Sequence, residues 1–272
     1  MSHTLEPALR VGAGEPVLLL HPFSLSHHVW RTVADRLADR CDVLAPTLPG
    51  HCGGPRLHAR QVSVAAIADG VETILDDAGW ETCHVVGNSL GGWVGFELAR
   101  RGRARTVTAI APAGGWRRFS YAELLIGTKF LALYPMLVIG AACGLRRWLR
   151  PVIKLMLRQV SHDVAAVSRA DADHVFLAST RCPCYLPMIW AGLRDGGITG
   201  LDQVRCPVRL VFTDSDRLIP QRRYAPRFTT AFPDVDPVIL RGVGHVPMLE
   251  APELVADAIR EHLDRHSASR AA

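Results

Sequence analysis

The 272-residue chain is predicted to adopt an α/β fold in which a mostly parallel central sheet is flanked by helices. Short continuous apolar runs, typical of strands buried on both faces, alternate with segments of helical periodicity. The alternation stops over residues 116–197 and then resumes. Because repeated β–α–β units place helices on both sides of a parallel sheet, we expect a core built from residues 1–115 and 198–266. A helical insertion over 116–197 and a flexible tail over 267–272 complete the expected organisation.

Composition indicates a filled globular core and narrows the range of partners. Apolar residues make up 49% of the chain and charged residues 21%. The formal net charge is +5, and nearly all of the positive charge is arginine, with lysine only at Lys129 and Lys154. We interpret the excess as a solvated arginine surface, with attraction to anionic surfaces as the alternative. Since no basic stripe is interleaved with aromatic residues, we expect no nucleic-acid partner.

The first half of the chain contains the runs that predict the first core strands. A leading segment, residues 1–16, is expected to form a hairpin at the sheet edge. The strand-like runs are Val17–Leu20, Asp42–Ala45, Cys83–Val86 and Arg105–Ile110. Residues 29–40 have helical spacing, and Ser63 is placed to cap a further helix that carries apolar residues from Val64 to Leu75.

The segment from Trp116 to about Gly197 has a helical pattern broken by prolines. These are Pro135, Pro151, Pro183 and Pro187. Within it, residues 124–145 are strongly apolar and close to the ~20 residues that span a bilayer. We interpret them as helices that line a substrate pocket. Two alternatives stay open: weak contact with a membrane surface, which would suit a lipid-like substrate, and a true span, which the internal Lys129 and Pro135 disfavour.

A tight turn between a strand and a helix carries the chemistry. Gly87-Asn88-Ser89-Leu90-Gly91-Gly92 follows the Cys83–Val86 run and leads into a helical segment, residues 93–101. Gly-x-Ser-x-Gly in this context is a nucleophile elbow, in which the serine has strained backbone angles and the glycines avoid collisions. The turn is expected to present the Ser89 hydroxyl at the end of the strand and to leave the Leu90 N–H free.

Two further strands end in residues that complete a catalytic set. Val208–Phe212 is followed by Asp214 and Asp216, and Pro237–Leu240 is followed by His245. A serine hydroxyl needs a base within hydrogen-bond reach, and that base needs a carboxylate to fix its tautomer and stabilise its cation. Ser89, His245 and one of the two aspartates supply these roles.

The elbow, the chain order Ser–Asp–His, Asp216-x-x-x-Pro220 and Gly244-His245-x-Pro247 together resemble the α/β-hydrolase fold family of serine hydrolases. The resemblance covers roughly residues 15–115 and 200–265. It implies an α/β-hydrolase fold with an inserted helical cap over the active site at 116–197, and it favours Asp216 over Asp214 as the acid. Thr47 stands where the family's loop after the second core strand usually has Asp, a position that is structural in relatives.

The resemblance also implies an oxyanion hole made by the backbone N–H groups of Leu90 and Phe23. Relatives usually have His-Gly-x after the first core strand, where this chain has His21-Pro22-Phe23. Proline lacks an N–H, but the donor in the family pattern is the residue that follows it. Phe23 as a pocket wall alone is the alternative, and His21 is interpreted as a structural residue of the loop.

These residues predict an esterase-like enzyme that needs no cofactor and no metal. Ser89 attacks a carboxylic ester, lactone or thioester of a small to medium apolar substrate, and Asn88 and Val246 are candidate pocket residues. Gly-Asn-Ser-x-Gly-Gly is shared with carbon–carbon bond hydrolases of the same fold, which stay an alternative, as does a non-catalytic ligand-binding relative. A serine nucleophile argues against the epoxide and halide hydrolases of the fold, which have a carboxylate there. The oligomeric state is left open.

Seven irregularly spaced cysteines predict reduced thiols and a cytoplasmic location. The first residues have neither a basic segment nor an apolar one, so no signal peptide is expected. The cysteines of Cys182-Pro183-Cys184 are too close for a zinc knuckle and have no second pair, so we interpret them as structural or incidental.

Overall fold

The computed structural model describes residues 7–116 and 150–267, together with residues 128, 131, 132, 134, 135, 138, 139, 142 and 143. The expectations for the first six residues, for most of 124–145 and for the tail beyond Ser267 therefore lie outside the described residues. No helix within the described ranges combines the length and the apolar character needed to cross a bilayer.

Seven strands of the described residues form one sheet in the order β1-β3-β2-β4-β5-β6-β7. The strands are β1 (Ala8–Val11), β2 (Glu15–Leu20), β3 (Cys41–Pro46), β4 (Cys83–Asn88), β5 (Ala104–Ile110), β6 (Val208–Thr213) and β7 (Val238–Leu240). Every neighbouring pair is parallel except β1 and β3. The predicted α/β class with a mostly parallel sheet is confirmed.

The described part of the leading segment, residues 7–16, does not form the expected hairpin with the strand that follows it. Strand β1 pairs antiparallel with β3, not with β2, so the chain crosses the start of β3 between its first two strands. Gly12 and Gly14 make this crossing, with φ of +81° and +123°. A Cβ at either would lie 2.2 Å from a carbonyl oxygen, of Cys41 or Arg40, so only glycine permits the close approach.

Helices cover both faces of the sheet. They are α1 (Arg31–Leu37), α2 (Val64–Asp77), α3 (Leu90–Arg100), α4 (Arg150–Val160), α5 (Arg169–Thr180), α6 (Tyr185–Asp195), α7 (Gln221–Ala231) and α8 (Pro252–Ser267). Alternate residues of β2 enter opposite clusters: Val17 and Leu19 pack with α1 and α8, while Leu18 and Leu20 pack with α2 and α3. This two-sided burial explains the continuous apolar runs of the sequence.

Some helices begin where the sequence predicts, and others begin elsewhere. The Ser63 hydroxyl accepts a hydrogen bond from the Ala66 N–H at 3.1 Å and caps α2 as predicted. The expected helix over 29–40 is instead a 3₁₀ turn at His27–Trp30 followed by α1. In the insertion, Pro151 and Pro187 lie in the first turns of α4 and α6 and do not break a helix, because an N–H in the first turn has no acceptor within the helix.

Candidate active site

Ser89 lies in a strained turn between β4 and α3. Its φ of +53° and ψ of −113° fall outside the ordinary regions for an L-residue. The turn is fixed by its own backbone, because the Ser89 N–H donates to the Ile110 carbonyl at 3.0 Å and the Ser89 carbonyl accepts from Ala113 at 2.9 Å. The side chain is 5% exposed and lines a cavity. The geometry agrees with the predicted elbow.

The two glycines of the turn are required by space. A Cβ at Gly87 would lie 2.2 Å from the carbonyl oxygen of Gly91, and a Cβ at Gly91 would lie 2.1 Å from that of Leu20. Both neighbours are backbone atoms that cannot rotate away. The elbow is therefore packed directly against the end of β2, which carries the next loop of the site.

Asp216 and His245 meet although they lie 29 residues apart in the chain. The His245 Nδ1–H donates to Asp216 Oδ2 at 2.7 Å, while Asp216 Oδ1 accepts the backbone N–H groups of Leu218 and Ile219 at 2.8 and 2.7 Å. Burial alone would raise the pKa of Asp216, but the nearby His245, its hydrogen bond and the two N–H groups outweigh burial and lower it. The carboxylate is thus held ionised against the imidazole.

Asp214, the other candidate for the acid, makes different contacts from those of Asp216. Asp214 Oδ1 accepts the Gly242 N–H at 2.8 Å and the Ser215 hydroxyl at 2.9 Å at the protein surface. The Gly242 hydrogen bond is the main cause that lowers the pKa of Asp214. Asp214 joins the loops after β6 and β7, and only Asp216 of the two forms an ion pair with His245.

Asn88 is not a pocket residue, which corrects the sequence-based expectation. Its side chain is fully buried, and its Nδ2 donates to the carbonyls of Ile110 and His245, both at 3.0 Å. It is absent from the described residues that line the cavity. Asn88 therefore ties the nucleophile strand to β5 and to the histidine loop. Val246, the other candidate, does line the cavity and is 1% exposed.

Glu250 holds the histidine loop against the insertion, and no sequence pattern pointed to it. Its carboxylate accepts the backbone N–H groups of His162 and Asp163, the latter at 2.7 Å, and that of Gly244. A Cβ at Gly244 would lie 2.7 Å from the His162 nitrogen, so the two loops are in close contact. The Val246 N–H also donates to Val160 at 2.8 Å, at the end of α4.

The loop after β2 contains the other predicted oxyanion residue. His21 is fully buried; its Nδ1–H donates to the Pro22 carbonyl at 2.8 Å and its Nε2 accepts the Leu48 N–H at 2.8 Å. Burial lowers the pKa of His21 well below its ordinary value. His21 is thus a neutral loop residue, in line with its predicted structural role. Phe23 and Leu90 both line the cavity, and the Leu90 N–H has no acceptor within its helix because Leu90 begins α3.

The cavity has a volume of about 530 Å³, and most of its described lining is apolar. The insertion contributes Leu155, Met156, Val160, Val175, Tyr185, Met188, Ile189 and Leu193, together with Ala132 and Tyr134. Polar side chains enter only from a few positions, among them Ser24, Gln159 and Ser179. No aspartate, glutamate, lysine or arginine is among the described lining residues, so the site is suited to an uncharged apolar group.

Ser89 and His245 share this cavity. The His245 Nε2 is buried and has no hydrogen-bond partner within the described part of the chain. With Nδ1 bound to Asp216, Nε2 is the atom that can accept a proton. The arrangement therefore places a strained serine and an imidazole at one cavity, and an ionised carboxylate orients the imidazole from behind.

Comparisons with known proteins agree on one family. The sequence profile described as "Alpha/beta hydrolase family" matches residues 17–258. The protein named "Epoxide hydrolase EphH" of Mycobacterium tuberculosis is 40% identical over 205 residues, which cover 75% of this chain and 96% of that protein. A pimeloyl-(acyl-carrier protein) methyl ester esterase of Aromatoleum aromaticum is 28% identical over 272 residues, covering 90% and 98%.

Among solved structures, a thermophilic esterase from Thermogutta terrifontis with malate bound has a TM-score of 0.75 to this chain. The alignment covers 95% of this chain and 93% of that one at 22% identity. A likeness at this level of identity concerns the fold.

Proposed function

The chain belongs to the alpha/beta hydrolase family, and from this premise we propose that it is a serine hydrolase acting on a carboxylic ester, lactone or thioester of a small to medium apolar substrate. The observation that carries the proposal is the 2.7 Å hydrogen bond from His245 to Asp216, with the other imidazole nitrogen buried and unpartnered among the described residues, in the cavity that contains Ser89. An imidazole oriented in this way is a general base for the serine hydroxyl.

The proposed reaction has two halves. In the first, Ser89 Oγ attacks the carbonyl carbon, its proton moves to His245 Nε2, and the imidazolium then protonates the leaving alkoxide or thiolate. In the second, His245 takes a proton from water, which attacks the acyl-enzyme and releases the acid. Asp216 stays ionised throughout and stabilises the imidazolium, in keeping with the direction of its pKa. No metal or organic cofactor takes part.

The negative charge that develops on the carbonyl oxygen requires donors. The Leu90 N–H, at the start of α3, supplies the first, and the helix dipole reinforces it. We assign the second to the Phe23 N–H. Its ring also forms a cavity wall and contacts Tyr185 at 5.1 Å between ring centres, so both roles weighed for Phe23 are compatible. Removing one such donor typically costs about 10²–10³ in turnover.

Substrate choice follows from the lining. A cavity of about 530 Å³ without a charged side chain among its described residues favours an uncharged, apolar acyl or alcohol group. A free carboxylate in the substrate would find no cation to pair with among the described lining residues, and burying it unpaired is costly. We assign the insertion, residues 116–197, the role of a cap that sets this preference.

Epoxide hydrolysis is a second candidate because a 40% identical relative is named an epoxide hydrolase. Opening an epoxide with Ser89 would leave an alkyl ether on the enzyme, which water activated by histidine does not cleave. A carboxylate nucleophile would leave an ester instead, but no carboxylate is among the described lining residues. The chemistry of the site therefore favours acyl transfer. Cleavage of a carbon–carbon bond stays an alternative, and the Gly-Asn-Ser-x-Gly-Gly pattern is the observation that supports it.

Weak contact with a membrane surface also remains a proposal. Leu155, Leu186 and Trp190 of the insertion are 45%, 51% and 59% exposed, close in sequence to residues of the cavity wall. Apolar side chains in this position would suit delivery of a lipid-like ester. Sedimentation of the protein with neutral and anionic vesicles tests this contact. Absence of binding to both would remove it, and the hydrolase proposal would be unaffected.

The experiment that tests the function is a substrate series. We expect turnover of p-nitrophenyl esters to rise with acyl length until the cavity is filled, and we expect no turnover of styrene oxide by the same preparation. Ser89→Ala should lower ester turnover by about 10⁴-fold or more. Turnover of the epoxide with no ester hydrolysis would overturn the proposal in favour of the second candidate.

A further inference from the structure

A second cluster of reactive side chains lies near the site and is not used by the proposed reaction. It consists of His51, Cys182 and Cys184, which we call the His–Cys₂ cluster. One ligand-type atom from each lies within 4.8 Å of the others, and each residue is at most 3% exposed. His51 and Cys184 are 133 residues apart in the chain. Sequence spacing could not predict this contact, because His51 lies far along the chain from the Cys182-Pro183-Cys184 pair.

We propose that the His–Cys₂ cluster is a metal site for a thiophilic d¹⁰ ion, Zn²⁺ or Cu⁺. Two thiolates and one imidazole are the donor set that such ions prefer, whereas Mg²⁺ and Ca²⁺ require oxygen ligands. Two thiolates also neutralise a divalent cation, which lowers the cost of burying the charge. Within the described residues no carboxylate belongs to the cluster, which separates it from hard-cation sites.

Two of the donor distances are close to those of a zinc site, whereas the three donor atoms together lie within 4.8 Å of one another, so binding would draw the widest pair together by about an ångström. The two sulfurs are 3.6 Å apart, close to the ~3.8 Å separation of two thiolates on tetrahedral zinc with Zn–S bonds of ~2.3 Å. The sulfur of Cys184 is 3.9 Å from Nε2 of His51, a few tenths of an ångström longer than the corresponding ~3.5 Å. Zinc would take one further ligand from outside the trio, and monovalent copper would be satisfied with three.

The histidine is oriented for this task by its second nitrogen. The His51 Nδ1 is 3.7 Å from the Cys184 sulfur but only 3.2 Å from the Pro49 carbonyl, and this shorter contact requires an N–H on Nδ1. Nε2 then has the lone pair that a metal requires. A backbone carbonyl bound to the remote ring nitrogen is the usual partner of a metal-ligating histidine, since it fixes tautomer and ring orientation.

The backbone holds the two halves of the cluster together without the ion. The Cys184 N–H donates to the Gly50 carbonyl at 3.0 Å, next to His51. A Cβ at Gly50, whose φ is +79°, would lie 3.0 Å from the Cys184 Cβ. The ion would therefore stabilise an existing contact between the loop after β3 and the start of α6.

The position of the cluster links the ion to the cavity wall. Tyr185, the residue after Cys184, begins α6 and lines the cavity, and its ring contacts Phe23. The Phe23 ring in turn lies edge-on to His51, with ring centres 6.1 Å apart. We expect an occupied site to stabilise the folded protein and to stiffen this wall, with no part in the chemical step.

The test is metal retention by the full-length protein and its variants. Reduced protein is incubated with Zn²⁺, or with Cu⁺ under reducing conditions, freed of excess ion, and analysed for metal by mass spectrometry. We expect about one ion per chain in the parent, at most a tenth of that in Cys182→Ser and His51→Asn, and full retention in Cys206→Ser. Cys206 is a half-buried free thiol outside the cluster and serves as the matched control.

Two further readouts keep the result interpretable if a variant folds poorly. Co²⁺ should give a thiolate charge-transfer band in the parent and in Cys206→Ser, and a weaker band in Cys184→Ser. Zn²⁺ should raise the melting temperature of the parent and Cys206→Ser but not that of the cluster variants, each compared with its own metal-free form. Equal retention in all variants, or no retention by the parent, would overturn the proposal. The proposal would also be overturned if the parent bound no ion and instead formed a Cys182–Cys184 disulfide, with the loss of two hydrogens.

Discussion

The loops that carry the proposed triad and the helices of the insertion are held in place by a different balance of interactions. At the triad, backbone hydrogen bonds and glycine contacts such as the 2.1 Å Gly91–Leu20 approach leave no room for adjustment. The insertion meets the core through backbone hydrogen bonds, such as those from Cys184 to Gly50 and from Val246 to Val160, and also through side-chain contacts. Examples of the side-chain contacts are the His28–Asp171 ion pair at 3.0 Å and the Glu250 carboxylate that binds two backbone N–H groups after α4.

We infer from this difference that the loops of the proposed triad carry the chemistry and that the insertion sets substrate preference. A site that must align a serine, an imidazole and a carboxylate needs positions fixed to fractions of an ångström. A cavity wall needs only the right shape and polarity, which side chains on exchangeable helices can supply. Changes at the triad should therefore alter turnover or folding strongly, and changes in the insertion should alter substrate preference or stability modestly.

The largest effect is expected at the triad carboxylate. Asp216→Asn removes the charge that fixes the His245 tautomer, and turnover of esters should fall by about 10⁴-fold. Asp214→Asn, two residues earlier on the same loop, should leave turnover within about twofold because its carboxylate bonds only loop groups. Steady-state ester hydrolysis measures both. Equal losses in the two variants would show that the comparison of the aspartates is wrong.

The second-largest effect is expected on the free energy of unfolding, for a substitution at the elbow. Gly91→Ala places a Cβ against the Leu20 carbonyl, and we expect more than about 4 kcal/mol of lost unfolding free energy or an insoluble product. Gly102→Ala is the control, since Gly102 has a φ of +77° but no atom within 4 Å of its Cβ position. Its cost should be about 1–2 kcal/mol from the backbone alone. Urea denaturation compares them, and a Gly91→Ala variant as stable as the control would contradict the packing account.

A moderate effect is expected in the cavity wall. Ile189→Trp fills part of the cavity from α6, so kcat/KM for long acyl esters should fall about tenfold while short esters change little. Leu186→Trp lies on the same helix, is 51% exposed in the parent and is outside the described cavity lining, so it should leave the chain-length profile unchanged. A profile that shifts equally in both variants would mean that α6 does not set substrate preference.

The smallest effect is expected at the tether between His28 and Asp171. The His28 hydrogen bond is the main cause that lowers the pKa of Asp171, so the stabilisation is present above the ordinary carboxyl pKa of ~4 and is lost as pH falls through the lowered value. Asp171→Asn should cost no more than about 1 kcal/mol at pH 6, since the pair is partly exposed. Melting temperatures of parent and variant should converge as the pH is lowered below the ordinary carboxyl pKa of ~4 and through the lowered value of Asp171. A difference that persists there would point to packing, not charge.

The core and the elbow could be predicted because their signals are local in the chain. Gly-x-Ser-x-Gly between an apolar run and a helix requires the strained turn, whatever the rest of the fold. The aspartate and histidine positions followed from the ends of two parallel strands, which meet at one edge of a sheet. Asn88 could not be assigned in this way, because it is the last residue of β4 and the strained turn at Ser89 interrupts the alternation of faces along the strand.

The remaining features depend on contacts that no local pattern encodes. The Glu250 carboxylate reaches across 88 residues to His162, and the His–Cys₂ cluster joins two loops that are further apart in sequence. The leading strand paired with β3 because two glycines allow a crossing, which a hairpin expectation ignores. Apolar periodicity identifies that a segment is buried but not which partner it packs against.

The most direct test of the account is where a fluorophosphonate reacts. Such a probe phosphonylates a serine that an oriented imidazole has activated, so peptide mass spectrometry should find one adduct, on Ser89, in the parent. The adduct should be strongly reduced in Asp216→Asn but not in Asp214→Asn. An intact, folded parent that remains unlabelled, or that is labelled at another residue while it hydrolyses esters, would contradict the assignment of Ser89 as the nucleophile.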